Sequence, residues 1–266
     1  ASCIDCDICT EIAPAIFGKG KDSACVIKQP KAKEEEEKAL MALLSCPVGA
    51  IGTRSKEGVR EVIKKFPAKI EDGVYRCGLS SKKSYGAMSY FILHPDGNWM
   101  IDSPRENAHL LKNIASLGGL KYIFLTHEDD VADAEFYAKA FNAQVIIHER
   151  DAHAYPKADI KVSGDDPTNM GDFTIIPTPG HTAGHMALLY KNFLFTGDHL
   201  WYSPERKRLW ASEEYCWYSW SHQLKSIKRL LDFRFEWVLP GHGRSIKMSH
   251  KEIKRQIKEL LLMYNF

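Results

Sequence analysis

Cys3, Cys6 and Cys9 follow one another at intervals of three residues, and a fourth cysteine, Cys46, stands directly before Pro47. Nothing else in the chain limits so tightly how it can fold. Thiolates at that spacing wrap a loop around a cubane, each sulfur reaching a different iron, and the fourth must arrive from elsewhere in the chain. The proline turns the chain away after that last ligand and offers no amide proton. Zinc sites are also built from four thiolates, but usually as two Cys-x-x-Cys arms, whereas here three are bunched and one stands alone. The spacing therefore predicts a [4Fe–4S] cluster on Cys3, Cys6, Cys9 and Cys46. Cys25, Cys77 and Cys216 are read as structural or idle thiols.

The run CIDCDICTEIAPAIF, closed by CPVGAI, resembles the single-cluster [4Fe–4S] ferredoxins over about residues 3–51. Behind the motif, residues 33–44 open with four glutamates and continue with Leu40, Leu43 and Leu44 on one face, which predicts a helix with acids at its positive end. The charged stretch RSKEGVREVIKKF lacks a long apolar pattern and reads as a boundary or a solvated helix. This divides the chain into a self-contained ferredoxin-like domain at 1–55, a linker at 56–67 and a second domain at 68–266.

In that second domain Pro95-Asp96-Gly97 marks a hairpin turn, and residues 107–117 form an amphipathic helix with Gly118 behind it. Short β-rich runs follow at 122–126, 145–148, 173–178, 186–190, 193–196 and 237–239, with helices at 133–141, 220–231 and over Ile253, Ile257, Leu260 and Leu261. At 44% hydrophobic and 26% charged residues a packed core is feasible, and 36 basic against 34 acidic residues is too balanced for a nucleic-acid footprint. The front is mildly acidic, with 6 basic and 8 acidic residues in 1–53. Apolar runs such as 122–125 fall far short of the roughly 18–20 residues of a spanning helix, so no membrane association is expected.

Four loops each begin as an expected strand ends, and each presents a metal-capable side chain: Thr126-His127, Pro179-Gly180-His181, Gly197-Asp198 and Pro240-Gly241-His242. Strand ends held on a common core bring such loops to one edge. With MIDSP, THEDDVAD, TPGHTAGH, FTGDH and LPGHG in order, residues 68–250 resemble the metallo-β-lactamase superfamily, including glyoxalase II-like hydrolases and flavodiiron-type proteins. The resemblance implies an α+β chain in which a small ferredoxin-like domain precedes an αββα metallo-β-lactamase-like sandwich. It also implies that His127, His181, Asp198 and His242 are metal ligands, with Asp102 supporting the metal loop and Asp198 bridging when two metals bind.

The first metal loop departs from the family's His-x-His-x-Asp-His. Asp129 replaces the second histidine and keeps an oxygen donor, while Val131 and Ala132 stand where the second-site ligands belong. The first site thus keeps His127, Asp129, His181 and Asp198, a set suited to zinc, iron or manganese. The second keeps His242 and the shared Asp198, with Asp130 or Asp133 as substitutes. One non-cluster metal ion per chain is expected. His185 and His199 are the other histidines to watch beside these ligands. The aromatic stretch YCWYSW, from Tyr215 to Trp220, is read as packing against the closing helices rather than lining a substrate mouth.

Three functions fit this reading. A metallohydrolase would act on a small-molecule substrate, with Asp130 or Asp198 as the candidate catalytic carboxylate. A redox protein would pass electrons from the cluster to an iron in the sandwich and need an electron-transfer partner. A non-catalytic cluster carrier or sensor would use the sandwich as a platform. Unpaired thiols and the cluster imply a reducing interior, cytoplasm or an organelle stroma such as the chloroplast's. The start at Ala1-Ser2, with no initiator methionine and no secretory pattern, reads as a trimmed chain or the mature end left by a targeting peptide.

Overall fold

A computed structural model describes residues 2–266. Its contacts divide the chain into two compact units, one running to Phe124 and resuming over Asp129–Val145, the other formed by Leu125–Glu128 and Ile146–Phe266.

The first unit opens with α1 (Ile8–Ile12), a hairpin of β1 (Phe17–Lys19) and β2 (Ala24–Val26), and α2 (Lys33–Ser45). Asp5 and Asp7 take left-handed backbone, φ 54° and 59°, which lets the chain double back between consecutive cysteines. The glutamates fall in the first turn of α2 as expected, and the Glu35 carboxylate accepts the Lys31 N–H at 2.9 Å. The helix stops at Cys46, since Pro47 cannot continue it. Cys9, Ala13, Ile16, Phe17 and Ala42 form a small core of their own. The expected linker folds into α3 (Val59–Val62) and a 3-10 turn, with Val62 and Phe66 buried. Apolar residues scattered among lysines were enough to anchor it.

From there β3 (Ala68–Glu71), β4 (Val74–Arg76), β5 (Tyr90–Ile92) and β6 (Trp99–Ile101) pair antiparallel in sequence order. The predicted Pro95-Asp96-Gly97 turn joins the last two. After α4 (Ala108–Ser116), β7 (Tyr122–Phe124) returns parallel to β6. The Asn107 side chain caps α4 by accepting the N–H groups of His109 and Leu110, worth about 1 kcal/mol. The unit closes with α5 (Ala134–Phe141), and β8 (Gln144–His148) leads the chain out of it.

In the second unit β9 (Ile160–Val162) pairs parallel with β8 from Ile146 onward. Then come β10 (Thr168–Met170), β11 (Phe173–Pro177), β12 (Met186–Tyr190), β13 (Phe193–Gly197), a side hairpin of β14 (Trp201–Ser203) and β15 (Arg208–Trp210), α6 (Trp220–Arg229), β16 (Trp237–Pro240), β17 (Ile246–Lys247) and α7 (His250–Met263). One sheet runs β10-β11-β12-β13-β16-β17, and β13 to β16 is its parallel step, with α6 in the crossover. Leu224 and Ile227 of α6 join Ile253, Ile257, Leu260 and Leu261 of α7 over Ile176, Leu194 and Val238 of the sheet. Those four α7 positions are the face predicted from their spacing. With β11, β13 and β16 pinned by this core, their carboxyl ends deliver the loops carrying His181, Asp198 and His242.

Candidate functional site

A cavity of about 160 Å³ in the first unit is lined by Cys3, Cys6, Cys9 and Cys46, with Ile8, Phe17, Val48 and Ile51 around them. Backbone amides point at the sulfurs: the Asp5 N–H donates to Cys3 Sγ at 3.4 Å and the Ala50 N–H to Cys46 Sγ at 3.2 Å. Burial first, and then the proximity of other motif thiols, pushes Cys6 up to about 11 and Cys9 up to about 12. Two buried thiols that resist ionising on their own suit a cationic metal core, which reverses that preference. Residues well beyond the motif complete the surround. A Cβ on Gly86, whose φ is +93°, would lie 2.7 Å from Cys6 Sγ, and the Tyr85 hydroxyl donates to the Ile4 carbonyl at 2.7 Å. Leu79 N–H donates to Ser45 Oγ at 3.3 Å. Cys25, read as idle, is exposed and also borders the cavity, whereas Cys77 is fully buried.

In the second unit His127, His181 and Asp198 bring one potential ligand atom each within 4.8 Å of one another. Asp198 Oδ2 lies 3.7 Å from His127 Nε2 and 3.9 Å from His181 Nε2, and both imidazoles are buried. Their orientation is set locally. His181 Nδ1 lies 2.6 Å from the Tyr215 carbonyl, which can only accept, so the proton sits on Nδ1 and Nε2 presents a lone pair to the site. Thr126 Oγ1 holds His127 Nδ1 at 2.8 Å. His242 turns Nδ1 onto Asp198 at 2.8 Å and adds its own N–H to Oδ1 at 3.1 Å. Burial alone would raise the Asp198 carboxyl, but His242 and then His127 and His181 hold it well below the usual carboxylate range.

Behind these groups lie the two histidines singled out beside the ligands. The His185 ring is 5.2 Å from both His127 and His199, and burial keeps both His185 and His199 neutral, the latter at about 3. Gly197 cannot be replaced here: at φ +47° its Cβ would meet His185 Nε2 and Thr126 Oγ1 at 2.6 Å.

The first metal loop divides between the units. Asp129 is exposed and Asp130 buried in the 3-10 turn Glu128–Asp130. Asp133 has its carboxylate engaged by Lys83 and by the Glu106 N–H at 2.9 Å. Asp102, buried with φ 54°, donates its N–H to the Phe124 carbonyl at 2.8 Å.

Sequence reasoning missed Asp151. Its buried carboxylate accepts from Thr182 Oγ1 at 2.5 Å, the Gly184 N–H at 2.7 Å and the Glu128 N–H at 3.2 Å, tying the His127 loop to the His181 loop. A single aspartate after His148-Glu149-Arg150 carries no signal of this. The packing expected of YCWYSW is also corrected. Trp220 packs on Tyr264, but Tyr215, Trp217 and Tyr218 are 51%, 63% and 53% exposed. The reason lies in the backbone. Trp217 and Tyr218 donate their N–H groups to the His181 carbonyl and Ser219 to that of Gly180, and the side chains turn outward beside the site. Trp217 stands 5.7 Å from the His181 ring.

A family model described as the 4Fe-4S single cluster domain of Ferredoxin I matches residues 1–53, and one described as the metallo-beta-lactamase superfamily matches residues 77–262. Among curated proteins, the chain is similar to a hydroxyacylglutathione hydrolase of Cereibacter sphaeroides, 37% identical over 87 residues, covering 30% of this chain and 34% of that protein. The one from Acidiphilium cryptum is 28% identical over 107 residues, 38% of this chain and 44% of that protein. The chain thus spans less than half the length of these relatives. Among solved structures, a metallo-beta-lactamase from Pontibacter korlensis aligns with a TM-score of 0.56 at 20% identity, covering 74% of this chain and 97% of that one. ETHE1 from Myxococcus xanthus aligns with a TM-score of 0.52 at 21% identity, covering 71% and 84%.

Proposed function

Because the chain belongs to the metallo-beta-lactamase superfamily and carries a 4Fe-4S single-cluster ferredoxin domain ahead of that region, we propose that it is an iron–sulfur metallohydrolase acting on a small molecule. Cys3, Cys6, Cys9 and Cys46 hold the cluster in this reading. His127, His181 and Asp198 hold one further metal ion, and the sequence adds Asp129, two residues beyond His127, as a fourth donor. The observation that carries the reading is the convergence of two buried imidazoles with Nε2 facing Asp198. A metal bound there supplies a water of lowered pKa and polarises a scissile carbonyl.

The chain's own groups divide the remaining work. Tyr215 keeps His181 in the tautomer that presents Nε2, and His242 keeps Asp198 ionised with two donated hydrogen bonds. A carboxylate held that firmly is better suited to gripping a cation than to taking a proton, which leaves Asp130 as the candidate base. The names of the curated relatives point to esters and thioesters as the class to assay first.

A second reading has electrons passing from the cluster to an iron on the same three ligands. It is favoured by the four-cysteine cavity, which a plain hydrolase does not require. Anaerobic purification with elemental analysis and EPR separates the two. Beyond cluster iron, about one zinc per chain with thioesterase activity is expected, because Val131 and Ala132 remove two second-site ligands. Non-cluster iron without hydrolysis would favour electron transfer. Two tightly held extra metals would overturn the single-site reading.

A further inference from the structure

Arg105 lies in the loop between β6 and α4, far in sequence from the four cysteines, yet its half-buried guanidinium reaches behind the last of them. Nη1 donates to the Cys46 carbonyl at 3.0 Å and to the Ser80 carbonyl at 3.3 Å, and Nη2 donates to the Leu44 carbonyl at 2.5 Å. The residue is itself held at both ends of its backbone. Its N–H donates to the Leu79 carbonyl at 2.9 Å, and its carbonyl accepts the Tyr137 hydroxyl at 2.8 Å.

The carbonyls of Leu44 and Cys46 are among the groups that a helix leaves unsatisfied at its negative end. A lysine or a water can satisfy such groups, so a capping role alone does not explain a half-buried arginine. What distinguishes this site is charge. Each of the three acceptors is a neutral carbonyl, so none cancels the guanidinium. Arg76 differs: it is paired with Glu11 at 2.6 Å and contributes a dipole rather than a net charge. Arginine stays protonated at every pH at which the protein is handled, so the Arg105 charge is fixed.

We infer that Arg105 is a positioning residue through which the metallo-β-lactamase-like segment tunes the reduction potential of the cluster. This rests on the reading of Cys3, Cys6, Cys9 and Cys46 as its ligands. One-electron reduction makes a four-thiolate cluster more negative, so a fixed positive charge beside Cys46 stabilises the reduced form more than the oxidised one and raises the potential. The cluster's redox behaviour thus depends on residues outside the cysteine motif.

The test uses the full chain, purified anaerobically and titrated with dithionite as the one-electron donor while EPR reports the reduced cluster. Arg105→Gln keeps hydrogen-bond donors but loses the charge. Its potential is expected to fall by at least the equivalent of a tenfold change in the oxidised-to-reduced ratio, about 59 mV for one electron. Arg105→Lys keeps the charge and should stay near the wild type. A potential unmoved in Arg105→Gln, or displaced equally in both variants, would overturn the inference. Loss of the cluster from both variants with the fold intact would make Arg105 a clamp only, and overturn it too. A wild-type chain with no iron–sulfur signal would instead refute the cluster reading itself.

Discussion

Replacing Asp151 by asparagine tests how the two histidine loops are held in register. The carboxylate receives three donors, the Gly184 N–H on Oδ1 and both Thr182 Oγ1 and the Glu128 N–H on Oδ2. Asparagine retains one acceptor oxygen, and whichever way the amide is turned its NH2 faces a backbone N–H, that of Gly184 or of Glu128. A hydrogen bond to a buried charged group contributes about 1.5–3 kcal/mol, and an unsatisfied buried donor costs a similar amount. A loss of roughly 2–3 kcal/mol in unfolding free energy is therefore expected. Because Glu128 follows His127 and Thr182 follows His181, the same change should loosen both imidazoles and weaken metal binding by roughly 10–100-fold. Thr182→Val removes one of the three bonds and should fall between variant and wild type. Urea unfolding gives the first quantity, and competition with a chromophoric chelator gives the second. A variant that is destabilised yet holds its metal within about threefold of the wild-type affinity would refute the argument, since register would then not depend on Asp151.

Cys46→Ser should abolish the brown iron–sulfur absorbance of anaerobically prepared protein. Unchanged iron and sulfide content would rule out the four-cysteine assignment. Acid should loosen the start of α2 before the rest of the fold. The Glu35 carboxyl is held at about 2 by the Lys28 hydrogen bond first and the Lys31 N–H next, against roughly 4.3 when unfolded. The unfolded chain therefore binds that proton first as pH falls, and the contribution present at neutral pH fades between those values. Amide exchange at residues 33–36 followed across that range should show this, and Glu35→Gln should remove the dependence; identical profiles for the two proteins would count against it.

How much could be read from the chain alone follows from the range of the interactions concerned. The acidic start of α2, the Pro95-Asp96-Gly97 turn and the α7 face of Ile253, Ile257, Leu260 and Leu261 are local patterns. Each structure they specify is decided within a few turns of backbone, and each appears where expected. The loops bearing His127, His181, Asp198 and His242 were legible for a related reason, as each directly follows an apolar strand. The short strands β1 to β4, β9, β10, β14, β15 and β17 were not. At two to four residues, with half-exposed and polar positions among them, they have no period to detect and exist because a partner strand pairs with them. Only the tertiary structure decided that Asp151 joins two loops, that Arg105 stands behind Cys46, and that Tyr215, Trp217 and Tyr218 face outward. Those outcomes rest on hydrogen bonds between residues from about 23 to more than 50 positions apart, and no pattern in the intervening sequence specifies which distant carbonyl or amide a side chain will meet.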